Sequence, residues 1–564
     1  MQKRLWSCAV LLAVSTMVFA QDETIIHGPS EIVTPVFRSM KNISQAHLAD
    51  NRLELPKFAQ RYVHKPKGKD DAPGTDSEGP YAIDESVFGG TIQAYTLGRG
   101  FAGPAPNEWT PPDPDMAVGR NHVIGVNNDD IVIYTKNGQQ LSSVDANTLF
   151  NSNDFIFDSW CAYDPWWDRF LVLFARQQSP QSSWELAVSR TGNPMDGWWV
   201  YRINARLRAG QDIAQWPDYE KLGFNKDVLA LHGNMYQFGG GFLGSQITLL
   251  NKAQIYNGQA STRYDVFYSG LGTLHPAEMF TMPDGQEALF LCAVGGGNQM
   301  RVRKIINPSQ FWANGTEPTF ESNNVAIPNY ASSPGGRQPG TTTRISNIDS
   351  RLLNATYAHG VMTTGHSVAR DWGDGLGSRA AARIYRMTVA VGQTPSVTTV
   401  TYGAPGMDYY FPAMQVNRDK DILFIMGRSS DSPATFAEVA VSAWRNGQPN
   451  PESATPVALG NSAYGGNRWG DYFGVGLDPT DMRTVWGVGQ RATGGNWSAW
   501  IQEWRYSVRP GDVDLNGCVD DTDLAAVLAA FGLNSPLHPA DLNTDGRIDD
   551  DDLAIVLSNF GAGC

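Results

Sequence analysis

The chain is poor in charged residues: only 18% of its 564 residues are Asp, Glu, Lys or Arg. Aromatic residues make up 11%, and glycine occurs 58 times. This composition excludes a disordered chain, which combines high charge with few aromatic side chains. It also disfavours long exposed helices and favours many short strands joined by turns. The length indicates more than one domain.

Basic residues are scarcer than acidic ones, since 43 Lys and Arg face 57 Asp and Glu, for a net charge of −14. This balance argues against binding to the phosphates of nucleic acids. The acidity is concentrated at one end. Residues 511–564 contain eleven Asp, one Arg and no Glu, a net charge of −10. The acidic tail therefore calls for its own explanation.

Several catalytic motifs are absent from the sequence. It has no Gly-x-Ser-x-Gly elbow and no phosphate-binding Gly-Lys-Ser/Thr loop. His232, His359 and His366 form no zinc motif and are interpreted as structural. Six tryptophans either stack on sugar rings or pack between sheets, and packing is the favoured interpretation. They are Trp166, Trp167, Trp198, Trp199, Trp216 and Trp469.

The N-terminus has the features of a secretory signal. Lys3 and Arg4 precede an apolar run over residues 5–17, and Ala20 ends a Val-Phe-Ala cleavage sequence. We therefore expect residues 1–20 to be a signal peptide and the mature protein to be secreted, either extracellular or associated with the cell surface. The sequence shows no other apolar run long enough for a transmembrane segment.

Few cysteines remain after the predicted cleavage: Cys161, Cys292, Cys518 and Cys564. In an exported protein four cysteines allow two disulfides. Cys518 and Cys564 bracket the acidic tail and are the favoured pair. Cys161 and Cys292 lie in apolar segments, where they either pair or are each buried.

The acidic tail carries one pattern twice, over residues 512–523 and 541–552. Side-chain oxygens fall at loop positions 1, 3, 5, 9 and 12, glycine falls at position 6, and position 7 offers its carbonyl. Because a hard cation needs several oxygen ligands at once, each copy predicts one calcium ion. The predicted ligands are Asp512, Asp514, Asn516, Cys518, Asp520, Asp523, Asp541, Asn543, Asp545, Arg547, Asp549 and Asp552.

A helix is predicted after each loop, because apolar residues recur there at i, i+3, i+4 and i+7. These residues are Leu524, Val527, Leu528 and Phe531 in the first copy and Leu553, Val556, Leu557 and Phe560 in the second. Gly532 and Gly561 are expected to end the helices. At loop position 8, Val519 and Ile548 are expected to join the two loops through an apolar contact.

With two loops, one helix after each and a Gly-Cys end, the tail resembles a type I dockerin of the variety found in secreted bacterial proteins. The resemblance covers residues 511–564. It implies two calcium ions and binding to a cohesin domain through loop positions 10 and 11. Because both copies are unusually acidic there, retention at a cell-surface component is the alternative. The implied partner-binding residues are Asp521, Thr522, Asp550 and Asp551.

A second repeat runs through the large region between the N-terminus and the tail. A short apolar strand, a turn rich in Asp, Asn, Pro and Gly, and a longer apolar strand recur every 45 to 68 residues. Such spacing predicts a mainly β fold, a β-propeller of about seven blades over residues 86–508, with six or eight blades left open. A sandwich assembly is the competing fold. We expect 87–97 to close the last blade and 21–85 to be a polar linker or pro-region.

Three phrases in the large region are similar to a group of secreted bacterial propeller-like proteins that have no assigned activity. They are Pro112-Asp113-Pro114-Asp115, Pro217-Asp218-Tyr219-Glu220-Lys221, and Arg468-Trp469-Gly470-Asp471-Tyr472. The resemblance spans most of residues 105–508. It implies the propeller fold and no particular chemistry.

An acidic residue precedes or begins the first strand in several repeats. If these strands are innermost, the acids gather at one mouth of the central channel, where they can bind a cation, hold sugar hydroxyls or act as acid and base. The favoured alternative is that each Asp caps a turn. The residues are Asp113, Asp158, Asp218, Asp349, Asp408 and Asp471.

Two functions follow from these features. In the first, a calcium-binding dockerin-like tail anchors a propeller that binds a glycan or a protein. In the second, the propeller is a polysaccharide-degrading enzyme, either a glycoside hydrolase or a lyase. Two carboxylates facing across an open cleft would favour the enzyme.

Overall fold

The computed structural model describes residues 23–41, 43, 76–89, 94–107, 109–466, 468–535 and 538–564. The predicted signal peptide lies outside these ranges. Strands fill the large region, and the tail contains two helices of ten and nine residues. Among the described residues, no helix is both long and apolar enough to cross a membrane.

The strands before residue 270 are β1 (Ile25–Val33), β2 (Pro35–Arg38), β3 (Tyr81–Ile83), β4 (Tyr95–Ala102), β5 (Asp115–Val118), β6 (His122–Val126), β7 (Asp130–Thr135), β8 (Gln140–Asp145), β9 (Phe155–Asp164), β10 (Arg169–Gln178), β11 (Gln181–Ser189), β12 (Trp198–Asn204), β13 (Leu207–Arg208), β14 (Gln211–Asp212), β15 (Gln215–Phe224), β16 (Val228–Gln237), β17 (Phe242–Asn251) and β18 (Ser261–Ser269).

The strands after residue 270 are β19 (His275–Pro276), β20 (Glu278–Met279), β21 (Ala288–Gly295), β22 (Gln299–Ile306), β23 (Thr319–Ala326), β24 (Ala355–Ala358), β25 (Val361–Arg370), β26 (Arg379–Thr388), β27 (Ser396–Gly403), β28 (Asp408–Val416), β29 (Ile422–Ser430), β30 (Thr435–Trp444), β31 (Thr455–Ala458), β32 (Gly474–Leu477), β33 (Val485–Thr493) and β34 (Asn496–Tyr506). The helices are α1 (Ala146–Phe150), α2 (Lys252–Ile255), α3 (Gln310–Asn314), α4 (Asp521–Ala530) and α5 (Asp550–Ser558).

Five antiparallel sheets of four or five strands are separate from one another. They comprise β5–β8, β9–β12 with β2, β19 with β21–β23, β28–β31, and β32–β34 with β4. An 11-stranded sheet contains two further antiparallel runs, β15–β18 and β24–β27. These two runs are joined because β20 pairs in parallel with β15 on one side and β24 on the other.

The first strand of each run lies innermost. β5, β9, β15, the β19–β20 segment, β24, β28 and β32 contact one another in that order, and β32 contacts β5 to close the ring. Sheets arranged radially around a closed ring of inner strands form a β-propeller. The predicted mainly β propeller is therefore confirmed, and the sandwich alternative is wrong.

The inner and middle strands are buried on both faces, which explains their nearly continuous apolar sequence. In β10, residues 170–175 read Phe-Leu-Val-Leu-Phe-Ala and are all buried. In contrast, the outermost strand β23 alternates between exposed and half-buried residues. A strand packed between neighbouring sheets has no polar face, whereas an edge strand keeps one.

Of the predicted polar linker or pro-region 21–85, the structure describes residues 23–41, 43 and 76–85, and three strands form within them, whereas the rest lies outside the described residues. β1 pairs with β18, β2 pairs with β12, and β3 pairs with β27. These additions cover the outer edges of three runs, which would otherwise expose unpaired N–H and C=O groups. These three strands are difficult to recognise in the sequence, because an edge strand needs few apolar residues.

A strand from the N-terminal side closes the last sheet, as predicted, but it lies later in the chain than expected. β4 pairs with β34, with Tyr95 opposite Tyr506 and Ala102 opposite Trp500. Glu85–Phe88 is instead a 3-10 helix, capped by the side chain of Asp84. The predicted range 87–97 therefore overlaps the closing strand only at its last three residues.

The tail has a small apolar core of its own. Val519, Val527, Ile548 and Val556 are fully buried in one cluster. The two copies pair reciprocally: Val519 exchanges main-chain hydrogen bonds with Gly561 and Ala562, and Ile548 exchanges them with Gly532 and Leu533. The position-8 residues thus join the copies as the sequence predicts.

Only one of the cysteine pairs forms a disulfide. Cys518 and Cys564 are bonded, which ties the first loop to the end of the chain. Cys161 and Cys292 are free and buried. Their burial answers the question that the sequence left open.

Candidate functional site

The first loop of the tail brings carboxylates together. Asp512, Asp514 and Asp523 each offer an oxygen within 4.8 Å of the others, and Asp512 and Asp523 are buried. Asp523 Oδ1 accepts the N–H groups of Val513 (2.6 Å) and Asp514 (3.1 Å). This acidic group could therefore hold a metal ion, and its oxygen ligands are of the kind that hard cations prefer.

The second loop repeats the same hydrogen bonds. Asp552 Oδ1 accepts from Leu542 (2.6 Å) and Asn543 (3.2 Å), as Asp523 does in the first copy. Asp541 Oδ2 accepts from Gly546 at 3.0 Å, and Asp512 Oδ2 accepts from Gly517 at 2.9 Å. The glycines have φ near +90°, which only glycine adopts without strain. Two loops of one sequence pattern thus fold alike.

The predicted position-9 ligands also begin the helices. Asp520 Oδ1 accepts from the N–H of Thr522 at 2.8 Å, and Asp549 Oδ1 accepts from that of Asp551 at 3.1 Å. Each pairs with the position-12 Asp in a capping box. These caps stabilise α4 and α5 by satisfying N–H groups that lack a partner within the helix. The remaining predicted ligands, Asn516, Cys518, Asp545 and Arg547, lie in the loops.

The helices of the tail leave apolar side chains exposed. The sequence predicts one buried stripe per helix, but only part of it is buried: Val527 and Val556 are in the core, whereas Leu528 and Leu557 are 54% and 55% exposed. Phe531 (45%) and Phe560 (48%) lie beside them in sequence. The implied partner-binding residues are exposed as well. They are Asp521, Thr522, Asp550 and Asp551.

Three of the six acids predicted at the channel mouth meet inside the ring of inner strands. Asp113, Asp158 and Asp471 are buried and place one oxygen each within 4.8 Å of the others. Asp113 accepts the main-chain N–H of Asp471 at 2.6 Å, and Asp158 accepts that of Tyr219 at 3.0 Å. Asp158 and Tyr219 have φ of +51° and +60° at bulges of β9 and β15. The bulges turn these residues toward the channel.

The other three acids are held apart from this group. Asp349 makes a bidentate ion pair with Arg351 at 2.6 and 2.8 Å. Asp408 forms ion pairs with Arg337 at 3.0 Å and with Arg379 at 3.3 Å. Asp218 is buried on β15 next to Glu220, whose pKa it helps to raise.

Sequence reasoning missed the most unusual pair in the channel, Glu220 and Lys221. Both side chains are fully buried on β15. Burial lowers the pKa of Lys221 to about 7, against the opposing effect of Asp158. Burial raises the pKa of Glu220, and Asp158 raises it further. A Glu-Lys pair in the middle of a buried inner strand, between Tyr219 and Leu222, is the signal that would have revealed them.

Aromatic rings enclose the ammonium group of Lys221. Its Nζ lies 3.8 Å from the ring centres of Tyr219 and Tyr472 and 4.0 Å from that of Trp160. Such cation–π contacts partly replace the lost hydration of a buried cation. The guanidinium carbon of Arg351 lies 4.5 Å from the ring centre of Tyr219. The channel therefore combines carboxylates, two cations and aromatic rings.

The candidate sugar-stacking tryptophans pack within the fold. Trp198 and Trp469 are fully buried. Trp166 and Trp167 donate to the carbonyls of Met279 (2.9 Å) and Lys226 (3.0 Å). Trp199 and Trp216 contact Phe37 and Tyr236, respectively. The favoured packing interpretation agrees with these contacts.

The tail contacts the propeller at the end opposite the acid cluster. In the acid cluster, Asp113 and Asp471 precede the inner strands β5 and β32, whereas Arg418 follows the end of the inner strand β28. Arg418 donates to the carbonyls of Asp541 (3.0 Å) and His538 (2.6 Å). A cavity of about 290 Å³ lies beside this contact. Its lining includes residues of both parts, among them Asp421, Arg445, Asp512 and Asp514.

Comparison with known proteins concerns the fold only. No family model matches the chain, and no curated protein matches it. Solved propellers share 8–10% identity with it. An α-L-arabinanase of Penicillium chrysogenum has 8% identity over 72% of this chain and 98% of its own, with a TM-score of 0.32. The polysaccharide lyase Uly1 has 10% identity over 77% and 98%, with a TM-score of 0.35.

A third similar structure comes from a complex of two proteins. Drosophila Plexin A, solved with Semaphorin 1b, has 8% identity over 74% of this chain and 88% of its own, with a TM-score of 0.31. At these values the likeness carries no activity to this chain. Propellers serve unrelated functions, so function has to be argued from the sites themselves.

Proposed function

We propose that this is a secreted protein with a calcium-dependent docking tail carried on a seven-bladed propeller. We count each four-strand run around the ring as a blade. The observation that supports the tail's role is the repetition of one loop geometry, with Asp523 and Asp552 each accepting two successive main-chain N–H groups. Two calcium ions in such loops would hold α4 and α5 in a fixed orientation.

The partner we propose for the tail is a cohesin-type domain that presents an apolar patch with a basic rim. The exposed Leu528, Phe531, Leu557 and Phe560 supply apolar area on the tail. The exposed acids at the starts of the helices, Asp521, Asp550 and Asp551, require positive charge on the partner. Exposed apolar groups bordered by charge are typical of interaction sites.

The tail's calcium dependence can be tested on the full chain. Calcium should raise the melting temperature of the tail, and the double variant Asp512→Ala/Asp541→Ala should abolish that rise. Binding to a panel of purified cohesin domains should require calcium and should be lost in Phe531→Ser/Phe560→Ser. Leu376→Ser, which alters an exposed leucine on the propeller, is the matched control. A melting temperature that does not change with calcium would refute the assignment of the two loops as calcium sites. Calcium binding without binding to any cohesin domain would refute only the proposed partner.

For the propeller we propose action on an extracellular polysaccharide, as a hydrolase or a lyase. The observation that favours this function is the concentration of Asp158, Glu220, Lys221 and Arg351 in the buried interior of the ring. A scaffold does not need so many charged groups in its interior, whereas acid–base chemistry on sugars uses them. A tail that docks at the end opposite the acid cluster leaves the acid-cluster end of the propeller free for substrate.

A screen of the purified protein against plant and algal polysaccharides tests this second function. Release of reducing ends or of unsaturated products by the wild type, with loss in Lys221→Met at unchanged melting temperature, supports the enzyme. Retention of a polysaccharide without cleavage would instead favour the alternative, a propeller that binds a glycan or a protein. No response to any polysaccharide would refute both sugar-directed functions.

A further inference from the structure

The carboxylates inside the propeller come from three different blades. Asp113 precedes β5, Asp158 lies in β9 and Asp471 precedes β32. The ring closes where β32 contacts β5, so the group joins the last sheet to the first two. Their exposed fractions are 0%, 8% and 2%. Three carboxylates with oxygens within 4.8 Å repel one another strongly in a buried site. A positive charge placed between them would offset this repulsion.

Glu220 adds a fourth carboxylate beside this group. It is fully buried, and neither Oε atom has a hydrogen-bond partner among the described residues. Glu220 follows Tyr219, whose main-chain N–H donates to Asp158 at 3.0 Å, so Glu220 and Asp158 lie on the neighbouring inner strands β15 and β9. Buried carboxylates in folded proteins are almost always hydrogen-bonded, ion-paired or bound to a metal. Glu220 is thus an independent indication of a cationic ligand.

The nearby side-chain cations do not bridge these carboxylates. Lys221 Nζ has no hydrogen-bond partner among the described residues, and its near neighbours are the rings of Trp160, Tyr219 and Tyr472. Arg468 donates to Asp471 Oδ1 at 2.9 Å from outside the group. A divalent ion among the oxygens of Asp113, Asp158 and Asp471 would add positive charge where these three carboxylates come closest.

We propose that Asp113, Asp158 and Asp471 bind a divalent cation of the calcium class inside the propeller, with the buried Glu220 nearby. Every side chain in the group offers only oxygen, which hard cations prefer and which nitrogen- or sulfur-binding metals do not. Held from three blades, the ion would cross-link the first, second and last sheets and stabilise the closed ring. This site is separate from the two loops of the tail and does not depend on them.

Counting bound calcium in the full-length protein tests the proposal. After equilibration with calcium and removal of free metal, mass spectrometry of the metal content should give three ions per chain for the wild type. The variant Asp512→Ala/Asp541→Ala should retain one ion. Adding Asp158→Asn to that variant should remove the last one, and the asparagine keeps an oxygen to accept the N–H of Tyr219. Adding Asp408→Asn instead is the control, because Arg337 and Arg379 already neutralise Asp408. This variant should keep the last bound ion.

The outcomes separate this site from the tail. Two ions in the wild type and none in the tail variant would overturn the propeller site and keep the tail loops. One ion in the wild type, lost with Asp158→Asn, would support the propeller site and refute the loops. If Asp158→Asn unfolds the protein, Asp471→Asn and terbium luminescence excited through Trp160 provide the second measurement. Unchanged terbium binding in a folded Asp471→Asn protein would overturn the proposal.

Discussion

Arg418 of the propeller donates a hydrogen bond from Nη1 to the main-chain carbonyl of Asp541, the first residue of the second tail loop, at 3.0 Å. Its Nη2 donates to the carbonyl of His538 at 2.6 Å. One buried guanidinium thus links the propeller to the loop that is predicted to bind calcium. Orientation of the tail and the structure of its second loop are therefore coupled.

Replacing this arginine should free the tail without unfolding it. In Arg418→Gln we expect faster proteolysis within residues 507–511 and a larger radius of gyration, because both hydrogen bonds to the tail are lost. The tail core and its disulfide do not involve Arg418, so the tail should stay folded. Arg344→Gln, at an exposed arginine elsewhere on the propeller, should behave as the wild type. Equal proteolysis of the two variants would show that other contacts hold the tail.

The disulfide should account for a large share of the tail's stability. Cys518–Cys564 links residues 46 positions apart within a small domain. Its removal in Cys518→Ser/Cys564→Ser should cost about 2–4 kcal/mol of unfolding free energy, measured by chemical denaturation with hydrogen exchange in α4 and α5. Reducing agent should lower wild-type stability by a similar amount. An unfolding free energy that is unchanged in the double variant would show that the disulfide contributes little to the stability of the tail.

Closure of the propeller should depend on the hydroxyl of Tyr95. This buried hydroxyl lies 3.0 and 2.8 Å from the carbonyls of Val441 and Ser453 and 2.9 Å from Oγ1 of Thr455. Tyr95→Phe should lower the unfolding free energy by about 1–3 kcal/mol, because buried carbonyls lose a donor. Chemical denaturation of the full chain measures the change.

Tyr268 offers a matched control for this substitution. It is also buried, but its hydroxyl has no hydrogen-bond partner among the described residues. Tyr268→Phe removes the same atom without breaking a hydrogen bond, so stability should change little. Equal losses in both variants would mean that packing, and not the hydrogen bonds of Tyr95, limits closure.

Acid should destabilise the propeller through His366. This fully buried ring contacts the carbonyl of Ser350 and the hydroxyl of Tyr385, and burial lowers its pKa to about 3, with Arg383 lowering it further and Asp349 opposing. The unfolded chain takes up a proton near pH 6.5, whereas the folded protein resists it until about pH 3. Stability present above pH 6.5 is therefore lost as the pH falls towards 3, by roughly 1 kcal/mol per pH unit.

His366→Gln should flatten this part of the pH profile. Glutamine keeps a donor and an acceptor but does not titrate, so the difference in melting temperature between variant and wild type should shrink or reverse as the pH falls from 6.5. Thermal melts in matched buffers across this range measure it. Parallel profiles for the two proteins would rule out His366 as a source of the acid sensitivity.

The parts of this protein that repeat locally could be predicted from the sequence. Each tail loop is specified by residues within twelve positions, so Asp512 and Asp541 could be assigned from local spacing alone. The propeller was recognisable because its inner strands repeat an apolar pattern. The strand range 87–97 was misplaced because edge strands such as β4 carry little apolar signal.

The sequence by itself determined the fold class, the two loops and the choice of Cys518 and Cys564 as the favoured pair, because these depend on short-range spacing and periodicity. Only the tertiary structure decided which of the six ring acids meet. Asp113, Asp158 and Asp471 are separated by up to 358 residues, and they converge because ring closure brings the last sheet against the first. It also decided that Asp408 is neutralised by Arg337 and Arg379, since charge pairing across blades leaves no mark on local sequence.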